Sequence, residues 1–577
     1  MGIWRLNTKS QTCSNEQIPG SWLSLGGRGL LAKILLDEVD PECYPLGPKN
    51  KLIFAPGLLT GHHLTSLDRI SVGAKSPLTG GVKEANAGGT TGFYLTNLGI
   101  TALIVEDIPE EKNWIIVHLS KDGVRFDSAQ QYLGQGVYQA AEKLIEKYGD
   151  RVAIALIGPG GEMMMRSAGI QNLDKDLVPS RIAARGGLGA VMGSKYIKAI
   201  VIDAKDGKRP PIQNEEAFKR ARKKYTEMVL GHPQTTTYAE YGTSAMVSMC
   251  NTIGGMPTRN FSSGTFEKAE NINGDRLREM LLERGGVSNP THACMDGCVI
   301  KCSNVVGDRD GKEVLVSPLD YETIDLMGAN LGIDDLDTIA KLNYEVNDLG
   351  IDSIETGAAL GVAAEAGLMD FGDSDRALEL IQEIRSGTPL GRILGGGAAI
   401  VGQVYGIERV PVVKGQAMPA YDPRAIKGTG VTYATSPQGA DHTCGLTIRS
   451  KVKQTDPNGQ VEVSRAAQIN MAGYDSLGAC IMAGFGVARD YSVINELINS
   501  IYGSDVEGNY LQELGKITLR FEREFNRRAG FSTQDDRLPE WMSFEPLPPH
   551  NTVFDVNSED LDSVFDFLTE DKNSSSH

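Results

Sequence analysis

Three cysteines fall within nine residues, Cys294, Cys298 and Cys302 in THACMDGCVIKCSN, and a fourth, Cys480, closes the segment DSLGAC. A chain that gathers soft thiol ligands this densely must either wrap them around a metal centre or bury them as small apolar groups. Gly297 helps the intervening loop turn. Eight cysteines among 577 residues are few. The N-terminus MGIWRLNTKSQTCSNEQ has no apolar leader, so the expected compartment is the cytoplasm, where disulfides are rare. Metal ligation is then the better reading of the cluster. Three neighbouring thiols plus one remote thiol suit a [4Fe–4S] cluster, which takes four thiolates. Zinc competes, but its sites usually carry C-x2-C pairs, and none occurs here. Cys13, Cys43, Cys250 and Cys444 are isolated and read as structural or incidental.

Hydrophobic periodicity divides the chain. Residues 1–208 are strand-rich and glycine-rich: KLIFAP, ITALIVED, WIIVHLS, RVAIALIG and KAIVIDA are short β-type runs, interrupted by one helix, VYQAAEKLIEKY. DAKDGKRPPIQN (203–214) is polar, carries two prolines and reads as a linker. Helical spacing follows, in EEAFKRARKKYTEMVL, GDRLREMLLERGG, YETIDLMGANLG and LDTIAKLNYEVNDLG, the last stopping at Gly350. A second helical region, from about 416, includes ARDYSVINELINSIYG and NYLQELGKITLRFEREFNRRAG. The predicted class is α+β: a β-rich domain (1–208) followed by two mostly α-helical domains (209–415 and 416–577). The acidic, serine-rich C-terminal end is expected to be mobile. A net charge of −17 argues against nucleic acid as a partner. No run of about 20 apolar residues marks a membrane span, and no repeat of solenoid period is visible.

Two short motifs narrow the reading. NDLGID (Asn347–Asp352) shares its first half with DSLGAC (Asp475–Cys480), so one copy ends in a carboxylate and the other in a thiol. Such a segment offers hydrogen-bond acceptors and exposed backbone to a polar ring edge. This pair, together with the cysteines, resembles the signature of the tungsten-containing aldehyde:ferredoxin oxidoreductase family. The likeness runs from residue 2 to about 530 and includes LGGRGLLAK (Leu25–Lys33), AKSPLTGG (Ala74–Gly81), EANAGG (Glu84–Gly89) and RIAARGGLGAVMGSK (Arg181–Lys195).

The resemblance implies a β-rich domain cupping a bis-pyranopterin tungsten cofactor, with molybdenum fitting the same dithiolenes. It assigns cofactor contacts to Arg69, Asn86, Gly88, Arg181, Ile182, Ala184, Asn347, Ile351, Asp352, Asp475 and Ala479. It makes the backbone of Asn86 and Ile182 the ligands of a Mg2+ ion, and Cys294, Cys298, Cys302 and Cys480 the ligands of the [4Fe–4S] cluster. Glu322 and His442 match the catalytic positions: a buried carboxylate shuttles protons, and an imidazole bonds the substrate oxygen. The implied reaction converts an aldehyde and water to a carboxylic acid, two electrons and two protons. The acceptor is ferredoxin or a ferredoxin-like iron–sulfur subunit, in a homo- or hetero-oligomer. The family's usual C-x2-C-x3-C spacing is C-x3-C-x3-C here. Asn347 replaces an aspartate, Gln438 and Cys444 stand where basic residues are common, and no E-x-x-H motif for a shared iron is present. Three alternatives remain: reduction of aromatic acyl-thioesters by the same cofactor, a non-catalytic iron–sulfur electron-transfer subunit, and a zinc-stabilised scaffold.

Overall fold

A computed structural model describes residues 1–568 of the chain. The first 203 residues build two six-stranded sheets of one topology. The first holds β1 (Gly2–Asn7), β2 (Thr12–Glu16), β3 (Leu52–Pro56), β4 (Ile70–Lys75), β5 (Val82–Ala87) and β6 (Ile100–Glu106), in the order β2-β1-β6-β3-β4-β5. The second holds β7 (Ile115–Ser120), β8 (Gly123–Ser128), β9 (Ala153–Leu156), β10 (Ile170–Leu173), β11 (Pro179–Ala183) and β12 (Ile197–Asp203), in the order β8-β7-β12-β9-β10-β11. β1 is parallel to β6 and β7 to β12, while the other neighbours are antiparallel. Helices recur in step: Gly27–Glu38 and Val137–Tyr148 before the third strand of each half, Thr91–Asn97 and Leu188–Ser194 before the sixth. The region is an internal duplication.

Alternation along the strands explains how the layers stack. Leu103 and Val105 of β6 meet Val117 of β7 and Ile202 of β12 between the two sheets. Ala102 and Ile104 point the other way, into the core cluster that also contains Leu30, Leu31 and Ile34. Ala199 and Val201 of β12 likewise pack under Ala140 and Leu144 of the Val137–Tyr148 helix. Both faces are buried, so these strands read as continuous apolar runs. Each fully buried Ile, Leu or Val side chain contributes about 1.5–3 kcal/mol relative to exposure.

One expectation is corrected. Val137–Tyr148 is a helix as predicted, but Gly27–Glu38, Thr91–Asn97 and Leu188–Ser194 are helices too, with a single turn at Pro159–Glu162. Gly27–Glu38 is buried over most of its surface, with only a narrow polar stripe at Lys33 and Asp37, so its 3.6-residue signature is weak. Residues 204–214 contain neither helix nor strand. From Glu215 onward the chain is mainly helical, apart from short strands such as Asn289–His292, Ser303–Gly307 and Val314–Val316 around the cysteine loop. The Leu336–Leu349 helix starts where the Asp335 carboxylate accepts from the Thr338 amide, and stops at Gly350, whose φ is +68°. No helix among the described residues is long and apolar enough to cross a membrane. Ser558–Asp562 is helical. The terminal end expected to be mobile lies outside the described residues.

Candidate active site

The two short motifs fold identically. Leu336–Leu349 and Gln460–Leu477 each end at a left-handed glycine, Gly350 (φ +68°) and Gly478 (φ +79°), and a new helix begins three residues on, at Ser353 and Ile481. Asp352 and Cys480 occupy the same N-cap position. Each hinge is gripped by the duplicated sheet beneath it. Arg69 N donates to Gly478 O and Cys480 N to Ser66 O; on the other side Gly169 N donates to Gly350 O and Asp352 N to Ser167 O (2.8–3.1 Å). The pseudo-twofold relation therefore extends from the sheets through both motifs.

The close approach has a measurable consequence. A Cβ on Gly57 would stand 2.0 Å from Gly478 N, and one on Gly158 2.3 Å from Leu349 O. Gly57→Ala and Gly158→Ala are each expected to cost about 3 kcal/mol, since neither backbone can yield. Thermal unfolding of the two variants checks this.

The four thiols converge from two directions. Burial pushes the Cys294 thiol up to about 11, against the pull of Arg181 and Arg69, and Cys298 and Cys480 raise it further. Burial also raises Cys302 and Cys480, each of which senses other thiols of the set. Among the described residues, no three of these sulfurs gather within 4.8 Å of one another. The β3–β4 loop supports them: Thr65 Oγ1 accepts from Val299 N at 2.9 Å, and Ser66 Oγ lies 3.3 Å from Cys298 Sγ. Gly88 leaves room for the cysteine loop, because a Cβ there would meet Cys294 Sγ at 3.1 Å.

One cavity brings together most of the residues singled out by sequence. Arg69, Asn86, Gly88, Arg181, Ile182, Ala184, Asn347, Asp352, Asp475, Ala479, Cys294, Cys302, Cys480, Glu322 and His442 all line it. Cys298 and Ile351 do not. Asn86 and Ile182 lie on β5 and β11, equivalent edge strands of the two sheets. The carbonyl of Asn86 accepts from Arg69 Nη2 at 3.0 Å. Asp352 caps its helix through Ile354 N at 2.9 Å and pairs with Arg185 at 3.2 Å. Asn347 is tied to Asn343 by a 3.1 Å hydrogen bond. Burial, reinforced by Glu84, raises the Asp475 carboxyl well above the usual range although Arg28 lies 3.2 Å away.

Residues the sequence did not flag complete the wall: Glu84, Arg185, Asp320 and Asp441. Burial opposes ionisation of Asp441, but Lys83 at 2.7 Å and Arg185 outweigh it and hold the carboxyl well below the ordinary range. Where basic residues were noted as missing, Gln438 bridges Lys83 (3.3 Å) and Glu522 (2.9 Å), and Cys444 is buried near Arg28. The positive charge on that side comes from Lys83 and Arg28 instead. Glu84 Oε1 and Arg181 Nε are buried without a hydrogen-bond partner in the chain. Buried polar atoms are rarely left so, and leftover acceptors and donors beside four thiols fit a polar ring system, its phosphates and a metal cluster.

Glu322 and His442 face each other across the end of this cavity, with Oε1 3.5 Å from Nε2. Glu322 Oε2 accepts from Ala420 N at 2.8 Å, and the neighbouring Tyr321 hydroxyl donates to Ala420 O at 2.6 Å, so both side chains clamp one peptide. Burial raises the Glu322 carboxyl above its usual 4.5, despite His442. Glu322 Oε1 and His442 Nδ1 have no hydrogen-bond partner. Beyond them opens a second pocket of about 340 Å³, walled by Tyr238, Tyr421, Phe485 and other apolar groups.

The family described as "Aldehyde ferredoxin oxidoreductase, N-terminal domain" matches residues 3–204, and "Aldehyde ferredoxin oxidoreductase, domains 2 & 3" matches residues 220–567. The chain is 33% identical to a tungsten-containing aldehyde ferredoxin oxidoreductase of Pyrococcus horikoshii, covering 95% of this chain and 92% of the relative. It is 32% identical to the protein of the same name from Thermococcus kodakarensis, covering 92% and 89%. An aliphatic sulfonate oxidoreductase, WOR-like subunit, from Pyrococcus furiosus is 27% identical over 91% of this chain and 85% of its own. Among solved structures, the active site complex BamBC of benzoyl coenzyme A reductase superposes with a TM-score of 0.80 at 18% identity, over 99% of this chain and 94% of that one. At that identity the likeness concerns the fold.

Proposed function

The chain belongs to the aldehyde ferredoxin oxidoreductase family, and from that premise we propose that it is a tungstopterin iron–sulfur enzyme oxidising aldehydes to carboxylic acids, with ferredoxin or a ferredoxin-like subunit as acceptor. One observation carries the reading: a single cavity joins Cys294, Cys302 and Cys480, both glycine-hinged motifs and the Glu322–His442 pair.

Arg69, Asn86, Gly88, Arg181, Ile182, Ala184, Asn347, Ile351, Asp352, Asp475 and Ala479 would hold the pterins, through side chains or backbone. Asn86 and Ile182 would supply carbonyls to Mg2+, which prefers oxygen ligands. Cys294, Cys298, Cys302 and Cys480 would hold the [4Fe–4S] cluster. When bound, the tungsten group accepts the electron pair and the cluster passes single electrons onward. The residues do the rest. His442 donates a hydrogen bond from Nε2 to the substrate oxygen, orienting the carbonyl. Glu322 Oε1, unpartnered and raised in pKa, takes the proton released when water adds to the carbonyl carbon. The apolar groups of the adjoining pocket exclude bulk water from the reacting end.

Reduction of an aromatic acyl-thioester would need cations for the nucleotide phosphates. Apart from His442, the pocket beside Glu322 presents one, Arg449.

The test is metal analysis of anaerobically purified protein with an aldehyde assay using a viologen dye. About four iron atoms per chain, stoichiometric tungsten and dye reduction by aldehyde are the expected result. Molybdenum in tungsten's place would revise only the metal. Iron without either metal and without activity would favour an electron-transfer subunit, and zinc alone would overturn the reading.

A further inference from the structure

The second pocket is built for a particular shape and charge. The Ile481–Val487 helix starts directly after Cys480 and carries Phe485 into the wall. Phe485 stacks on Tyr238, with ring centroids 5.9 Å apart and planes 18° from parallel. Tyr421 lies 5.9 Å from the His442 ring at the inner end. These rings line the cavity, and a substrate ring can pack against their faces. A volume of about 340 Å³ falls at the small end of the roughly 300–1,000 Å³ typical of small-molecule sites, which suits a single-ring compound.

Arg449 stands on the same wall. Its guanidinium lies 5.7 Å from the Tyr238 ring and 5.9 Å from Phe485, and its Nη2 contacts only the Tyr238 hydroxyl (3.2 Å) and Met246 Sδ (3.4 Å). The side chain is exposed, and no carboxylate is paired with it among these contacts. Two of the three arginines that line the neighbouring cavity differ: Arg181 and Arg185 pair with acids. A guanidinium packed beside aromatic rings, with no carboxylate partner of its own, can recognise a carboxylate.

We propose that the preferred substrates are aromatic aldehydes bearing a second, anionic group, with the formyl group at Glu322 and His442 and the carboxylate at Arg449. The inference rests on the aldehyde-oxidising reading above. The step balances as Ar–CHO + H2O → Ar–COOH + 2H+ + 2e−: the C–H bond breaks, a C–O bond forms, and two one-electron carriers of the ferredoxin class are reduced.

Two measurements separate the pocket from the reaction. Calorimetry with terephthalate and benzoate, which mimic the products, reads binding alone. Terephthalate is expected to bind about tenfold more tightly, the low end for a charge-assisted pair at a solvent-facing arginine. Arg449→Met should erase that ratio and Arg449→Lys should keep part of it. Viologen-coupled kcat/KM for 4-formylbenzoate over benzaldehyde should show a similar ratio and the same loss. Equal binding of the two acids, or a ratio that survives Arg449→Met, overturns the proposal even if both aldehydes are oxidised. An Arg449-dependent binding ratio without oxidation of either aldehyde would keep the pocket assignment and overturn the aldehyde reading.

Discussion

Cys480→Ser is expected to strip the chain of most of its iron, from about four atoms to less than one, and to abolish aldehyde-dependent dye reduction. The thiol is the N-cap of the Ile481–Val487 helix but makes no capping hydrogen bond through its side chain. Its backbone, by contrast, is fixed by the bond to Ser66 O. Serine keeps that backbone bond and is a favoured N-cap residue, so the fold should survive. What is lost is a soft ligand: an alkoxide or hydroxyl oxygen is a poor substitute for thiolate on iron. Cys13→Ser is the control. Cys13 lies on β2 at the edge of the first sheet, far along the chain from the other thiols, and its replacement should leave iron content unchanged. Iron analysis with circular dichroism on both variants checks the prediction. Equal iron in the Cys480 variant and the unsubstituted protein would remove Cys480 from the ligand set.

The same comparison of thiols shows what the sequence could and could not reveal. The Cys294–Cys302 run and the NDLGID/DSLGAC pair are local in the chain, so their chemistry is written in adjacent letters. The strands ITALIVE and IKAIVID were legible because burial on both faces leaves only apolar residues. The duplication of the two sheets was not, because packing conserves topology while letting side chains drift. Ile70 and Ile170 open equivalent strands, yet the segments around them share little. Arg28, Lys83 and Arg185 were missed as buried cations for a related reason. A buried arginine looks like any surface arginine until its partners, Glu522, Asp441 and Asp352, arrive from more than a hundred residues away. The aromatic pocket is equally nonlocal: Tyr238, Tyr421 and Phe485 come from three distant segments.

That buried charge network also explains why the absence of a base at Gln438 and Cys444 is tolerable. Glu522 is buried and accepts two hydrogen bonds from Arg28, at 2.7 and 2.9 Å, and one from Gln438. A cation at position 438 would place a further charge beside Lys83. Breaking a buried pair costs several kcal/mol because the remaining charge is left unpaired, so Arg28 and Glu522 hold the Gly27–Glu38 helix against the Tyr510–Arg528 helix through a contact that tolerates little change.

Glu322→Gln isolates the proton-transfer role. The amide is nearly isosteric and its oxygen can still accept from Ala420 N, the 2.8 Å bond that fixes the side chain. Metal content and aldehyde KM are therefore expected to change little. The amide cannot take a proton, so kcat should fall by about 10²–10⁴, the usual contribution of a positioned base. The pH profile supplies the sign. Burial raises the Glu322 carboxyl above 4.5, against the opposing charge of His442. A base must be ionised, so kcat in the unsubstituted enzyme should climb as pH rises through that elevated value and level off above it. In Glu322→Gln that acid limb should vanish, leaving a low rate that no longer depends on this ionisation. A fall in kcat with the acid limb preserved would assign the limb to another group and reduce Glu322 to a residue that positions the Ala420 peptide. Because Oε1 is the one oxygen of this carboxylate without a partner, the geometry favours the first result: the atom aimed at His442 is the one left free to carry the proton.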